Sequence, residues 1–263
     1  MNDLFDIACN FTHESFDDDL KQVIDDGMNI GVNKFLVVAA ELDDAHKIDK
    51  LITNHKDLLY FTTGVHPHHA KSFNNQSTER MRNLIKKYSP NALGEMGLDF
   101  FRNLSSHEEQ KFAFEEQIKL AIEFNKPLFL HQRDSHEPFI KLLNNYKTDI
   151  DKAVVHCFTG TQLELDEYLK CDFYIGLTGW ICDERRNKDL RSSIKNIPLN
   201  RLMLETDSPF LIPRNLNPKP KSNRNEPKNL MHIATEIAQL RNESVEEICN
   251  ATYRNSLDFF SQA

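Results

Sequence analysis

Eight short apolar runs recur along the chain, each followed by a segment with helical signals, and this alternation limits the possible folds more than any other feature. The runs are Leu4 to Ala8, Lys34 to Val38, Tyr60 to Thr63, Ala92 to Glu95, Pro127 to Leu130, Ala153 to His156, Phe173 to Ile175 and Arg201 to Leu204. Between them, Ser106 with Glu109, Thr161 with Glu164 and Ser244 with Glu247 have the spacing of a capping box, in which the two side chains close each other's helix-end amides. After the first of these, Phe114, Ile118, Ala121 and Ile122 form the stripe that packs a helix onto a sheet. Eight such units in 263 residues average about 33 residues each, the arithmetic of an α/β chain forming a (β/α)8 TIM barrel, one domain over residues 1–263. A doubly wound open sheet is the competitor. Its glycine-rich phosphate turn is missing after the first run, where Ala8-Cys9-Asn10-Phe11 contains no glycine.

Charge and hydropathy narrow the partner classes. With 32 Lys+Arg against 40 Asp+Glu the net charge is −8, which argues against coating nucleic acid or anionic membrane through a general positive field. No apolar run approaches the roughly 20 residues that cross a bilayer. Met1-Asn2-Asp3 lacks the basic start and apolar core of a signal peptide, so a cytoplasmic location is expected. The five cysteines form no CxxC pair and are odd in number, which fits reduced core thiols.

Polar groups recur where the apolar runs end: His66, Glu95, His131, His156 and Asp207. Their separations are 29, 36, 25 and 51 residues, so the first three steps are about one unit and the last is two. In a barrel this brings all five to the C-terminal mouth, where such enzymes keep their active sites. Imidazoles and carboxylates gathered without a partner are costly to desolvate, and a divalent cation removes that cost. Mg²⁺, Mn²⁺ and Zn²⁺ all suit such donors, and a bound ion points to metal-assisted hydrolysis. Glu95, His131 and His156 are the firmest ligand candidates. Asp207 is the candidate general base and a further ligand, and His66 either binds the ion or contacts a phosphate oxygen.

One segment reverses the overall sign. Residues 180 to 230 hold 11 Lys+Arg against 6 Asp+Glu, and Pro213, Pro218, Pro220 and Pro227 exclude a regular helix late in that stretch, leaving a long loop after the eighth run. Arg214 and Arg224 lie in it, Arg185 and Arg186 follow the seventh run, and Arg133 follows the fifth. Guanidinium forks match phosphate oxygens, so all five are candidate substrate contacts. Trp180, the single tryptophan, with Phe100, Phe101, Phe158 and Phe210, falls in the same loops, where an aromatic face can stack on an unpaired base.

Gly-Val-His-Pro-His (64–68), Gly-Glu-Met-Gly-Leu-Asp-Phe (94–100), His-Gln-Arg-Asp (131–134), His-Cys-Phe-Thr-Gly (156–160), Glu-Thr-Asp-Ser-Pro-Phe-Leu (205–211) and Arg-Asn-Glu-Pro (224–227) resemble the TatD family of metal-dependent deoxyribonucleases almost end to end. That resemblance implies a barrel of the metallo-dependent hydrolase type and Mg²⁺-dependent 3′-to-5′ exonuclease activity on single-stranded DNA and RNA, in repair of oxidatively damaged DNA. It implies Glu95, His131 and His156 as metal ligands with Asp207 and His66 beside them. Many family members begin with Asp-x-His-x-His, whereas this chain has Asp6-Ile7-Ala8-Cys9-Asn10, a loss shared by a bacterial subgroup. His13, three residues further on, is the candidate substitute. The expected partner is a single-stranded DNA or RNA 3′ end, with no membrane and no obligate protein partner, the chain acting as a monomer. The alternative is a small-molecule amidohydrolase or lactonase on the same metal barrel.

Overall fold

The computed structural model describes residues 3–185 and 187–261. Eight strands, β1 (Leu4–Cys9), β2 (Val32–Val37), β3 (Leu59–Thr63), β4 (Ala92–Asp99), β5 (Leu128–Arg133), β6 (Ala153–Val155), β7 (Tyr174–Leu177) and β8 (Leu202–Leu204), pair in chain order. Every pairing is parallel. A parallel bridge between Cys9 and Ser208 joins the two ends and nearly closes a (β/α)8 barrel. Around it lie α1 (Leu20–Asn29), α2 (Asp44–Asn54), α3 (Asn75–Tyr88), α4 (His107–Glu123), α5 (His136–Asn144), α6 (Gln162–Lys170), α7 (Lys188–Ser193), α8 (Leu230–Arg241) and α9 (Val245–Phe260). The three expected capping boxes start α4, α6 and α9. A fourth, Asn74 with Ser77, starts α3.

Alternation along the strands divides the apolar side chains into two cores. Phe5, Ile7, Leu36, Val38, Phe129, Val154 and Met203 share one cluster with Phe259 and Phe260 of α9. The rings of Phe5 and Phe260 meet at 5.6 Å, so α9 packs against the start of β1 and covers the N-terminal end of the barrel. Leu4, Phe35, Leu128, Val155, Ile175 and Leu204 belong to the other core, with Phe114 and Ile118 of α4. With the N-terminal end covered, chemistry is left to the opposite mouth.

Two strands run further than their apolar stretches suggest. β4 continues to Asp99, with all eight residues buried, and β5 continues to Arg133. Glu95 and His131 therefore stand within strands, not just past their ends. The cause is close packing. Gly97 has φ +149°, and a Cβ there would collide with the His131 carbonyl oxygen. Gly94, at φ +146°, lies as tightly against the Phe129 carbonyl. Only glycine combines that backbone with that approach. Gly97→Ala is expected to destabilise the fold by about 1–3 kcal/mol, read as a lower Tm; an unchanged Tm would refute the packing argument.

Among the described residues no helix is long and apolar enough to cross a membrane. Cys9, Cys182 and Cys249 are buried and Cys157 and Cys171 half-buried.

Candidate active site

Glu95 is the hub of the mouth. Only 6% exposed, it turns Oε1 toward three imidazoles from neighbouring strands. His131 Nδ1 and His156 Nε2 each lie 2.7 Å from that oxygen, and His66 Nε2 lies 3.2 Å away. Ligand-capable atoms of His66, Glu95 and His131 all fall within 4.8 Å of one another.

Burial disfavours the Glu95 charge, but His156, His66 and the hydrogen bonds from His131 and His156 hold its carboxyl well below the usual range. Burial also opposes protonation of His156, yet Glu95 and Glu205 raise it well above an ordinary imidazole. His131 is raised too, because the Asp99 and Glu95 carboxylates beside it outweigh its burial. Each of these imidazole–carboxylate contacts is a place where a divalent cation would stand in for a proton.

The outer nitrogens test whether a metal fits. Nδ1 of His156 faces Glu205 Oε2 at 3.4 Å, and both atoms are buried without a hydrogen bond. Nε2 of His131 faces Asp99 Oδ2 at 3.5 Å and is likewise buried and unbonded. A carboxylate behind each imidazole aims the inner nitrogen at Glu95, the arrangement that usually supports metal-binding histidines. His66 is built differently. Its Nδ1 accepts the His68 backbone N–H at 3.1 Å, so Nε2 carries the ring hydrogen. Burial pushes its pKa down to about 4.

Asp207 occupies the opposite side of the mouth, just past β8, at φ +53°. Its Oδ1 accepts the Asn10 side-chain amide at 3.0 Å, and the same amide reaches the Ser208 carbonyl at 3.1 Å. Burial raises the Asp207 carboxyl to about 7; the His156 charge lowers it, while Glu95 and Glu205 add to the rise. Asn10 thus anchors this carboxylate from β1. Asp6 does related work below: its carboxylate takes the Thr206 amide at 2.8 Å and the Thr206 hydroxyl at 2.6 Å, tying β1 to the chain beyond β8. His13 joins neither group. Its Nδ1 accepts the Ser15 amide at 3.1 Å and its ring meets Phe210 edge-on at 5.5 Å.

The basic candidates separate. Arg133 lies over the Phe101 ring, guanidinium carbon to centroid 3.9 Å. Arg214 is exposed on the loop after β8. Arg185 forks onto Asp183 with two contacts of 2.8 Å. Arg186 lies outside the described residues. Arg224 departs from the expectation of a free fork. It binds Asp19 through contacts of 2.9 and 2.6 Å, the Ser15 carbonyl at 2.6 Å and Glu226 at 2.9 Å, pinning the long loop to α1. Trp180 is half-buried and packs against the main core.

Sequence reasoning assigned no role to Asn10, His68, Asp99 or Glu205. His68 Nε2 meets Asp99 Oδ2 at 2.7 Å, extending the row of alternating imidazoles and carboxylates behind His131. Each lies within a few residues of an expected ligand, so proximity was the one signal available, and their partners lie on other strands.

Fold and cluster together define the class, a (β/α)8 barrel of the metallo-dependent hydrolase type. A family model described as TatD related DNase matches residues 5–261, and the chain belongs to that family. It is 44% identical over 257 residues to a protein of Yersinia pseudotuberculosis and 42% identical over 257 residues to one of Pantoea ananatis, both named 3′-5′ ssDNA/RNA exonuclease TatD. Each alignment covers 98% of this chain and 99% of the relative. Among solved structures, a TatD homologue from Escherichia coli superposes with TM-score 0.90 at 27% identity, covering 99% of this chain and 98% of that one. A TatD family hydrolase from Entamoeba histolytica gives 0.91 at 25% identity, covering 100% and 99%.

Proposed function

We propose that this protein is a divalent-metal-dependent nuclease that hydrolyses phosphodiester bonds from the 3′ ends of single-stranded DNA and RNA. The observation that carries the reading is the convergence of His66, His131 and His156 on one Glu95 oxygen, in a member of a DNase family. Glu95, His131 Nδ1 and His156 Nε2 are the proposed ligand set, with Asp207 at its edge. Mg²⁺ is the proposed ion, and the same donors suit Mn²⁺ and Zn²⁺. When bound, such an ion polarises the phosphodiester and lowers the pKa of a water.

The chain's own groups supply the rest. Asp207, held through Oδ1 by Asn10, takes a proton from the attacking water as its oxygen bonds to phosphorus. The bond from phosphorus to the departing oxygen breaks, and that oxygen takes up a proton from solvent, to which Asp207 returns the one it took. His66 Nε2–H is a neutral donor for a non-bridging oxygen, where charge builds in the transition state. We place the activity in repair of oxidatively damaged DNA.

With 5′-labelled single-stranded oligonucleotide and each ion in turn, a ladder of shortened products is expected, and 3′-labelled substrate should release label in the first steps. No ladder with any ion would sink the reading. The basic loop separates it from an amidohydrolase or lactonase. Arg214→Ala and Lys219→Ala should each flatten the salt dependence of oligonucleotide binding by about 0.7 in log–log slope, and leave turnover of a small neutral ester unmoved. Arg224→Ala should leave the slope alone and lower Tm, because its fork is spent on Asp19 and Glu226.

A further inference from the structure

Of the aromatics in the mouth loops, most are occupied. Phe158 is buried, Phe100 stacks on His107 with centroids 3.5 Å apart and planes 9° from parallel, and Trp180 packs against the core. Phe101 and Phe210 remain, 56% and 48% exposed. Isolated exposed aromatics are ordinary on a protein surface. These two differ in being held by polar neighbours: Arg133 lies 3.9 Å above the Phe101 ring, and His13 meets the Phe210 ring edge-on. His13 is in turn fastened by Ser15.

Their places in the barrel give the pair its meaning. Phe101 follows β4, the strand of Glu95, and Arg133 ends β5; Phe210 lies three residues beyond Asp207, after β8. In a sheet ordered β1 to β8 and nearly closed, β4 and β8 are diametrically opposed. Phe101 and Phe210 therefore stand on loops from opposite sides of the mouth that carries the metal-ligand candidates and the candidate base. Arg133 adds a cation to one rim, complementary to a phosphodiester.

We propose that Phe101 with Arg133, and Phe210, are two nucleobase-stacking platforms that hold the bases on either side of the scissile phosphate. The inference rests on the nuclease reading and sharpens it: the enzyme grips unpaired bases through their faces, without hydrogen bonds to their edges, and so takes all four bases in DNA or RNA. Duplex, whose base faces are covered, cannot occupy both platforms.

The test is binding of a hydrolysis-resistant phosphorothioate oligonucleotide to the Mg²⁺-loaded protein, read by fluorescence anisotropy, beside turnover of the unmodified strand. Phe101→Ala and Phe210→Ala should each weaken Kd about tenfold, within a range of about 5- to 150-fold, while Phe101→Tyr and Phe210→Tyr restore most of it. An abasic residue moved through the last few 3′ positions should weaken wild-type binding at two of them, and at one of these each alanine variant should show no further loss. A penalty under about twofold, or one unchanged by every abasic placement, overturns the platforms even if the strand is cleaved. Base-dependent binding without cleavage by any ion overturns the nuclease reading and leaves the platforms standing. No binding at all overturns both.

Discussion

Glu95→Ala is expected to remove the bound ion and the activity together. Its Oε1 is the atom on which His131 Nδ1, His156 Nε2 and His66 Nε2 all converge, so alanine deletes both a proposed ligand and the negative charge that would offset a cation in this buried place. The loss of rate should be on the order of 10³-fold or more, since the ion supplies the activated water and the charge neutralisation. Two measurements check it. Metal content after dialysis should fall from wild type to background, and the rise of Tm on titrating Mn²⁺ into metal-free wild type should be absent in the variant, because a ligand that no longer binds cannot stabilise. A variant with wild-type metal content and a rate within about tenfold of wild type would defeat the assignment.

Asp207→Asn is expected to separate activity from stability. Amide for carboxylate keeps the shape and keeps an oxygen for the Asn10 amide, but removes the group proposed to take the water's proton. A fall of about 10²–10⁴-fold in kcat is expected. Stability of the metal-free protein should move the other way. Burial raises the Asp207 carboxyl from 3.8 to about 7, so the folded state favours the protonated form. In wild type that contribution is fully present below about pH 4 and is lost as pH rises toward about 7. The asparagine side chain never charges. Its advantage in Tm should thus be nil at the acid end, grow through that window and stay constant above it. Tm in EDTA from pH 4 to 8 reads this directly; equal Tm values for both proteins at pH 8, or a wild-type kcat in the variant, would count against the buried-base assignment.

Asn10 shows how far sequence reasoning reached. It stands where family members carry a second histidine, so its presence reads as the loss of a ligand. In the fold it is a positioning group, because closing the barrel brings the end of β1 beside the chain leaving β8. Glu205 and Asp99 are similar cases. Each lies near a recognised residue in the chain, but its role is to back a histidine carried on another strand. Arg224 is the reverse case: its charge and loop suggested substrate contact, and its partner Asp19 lies 205 residues earlier.

The sequence by itself determined the eight units, their order, the capped helices and the five polar positions facing one mouth, because periodicity, capping and unit length are local properties that survive without knowing what touches what. Tertiary structure alone decided that β4 runs on through Gly94 and Gly97 beside an extended β5, since only the carbonyls of Phe129 and His131 on that neighbouring strand show why no side chain fits there. It alone decided which nitrogen of each imidazole faces inward, which arginine is already spent, and which aromatics remain open at the mouth. Those depend on pairs of groups far apart in the chain, and they acquire burial, charge and hydrogen-bond partners only when the barrel closes.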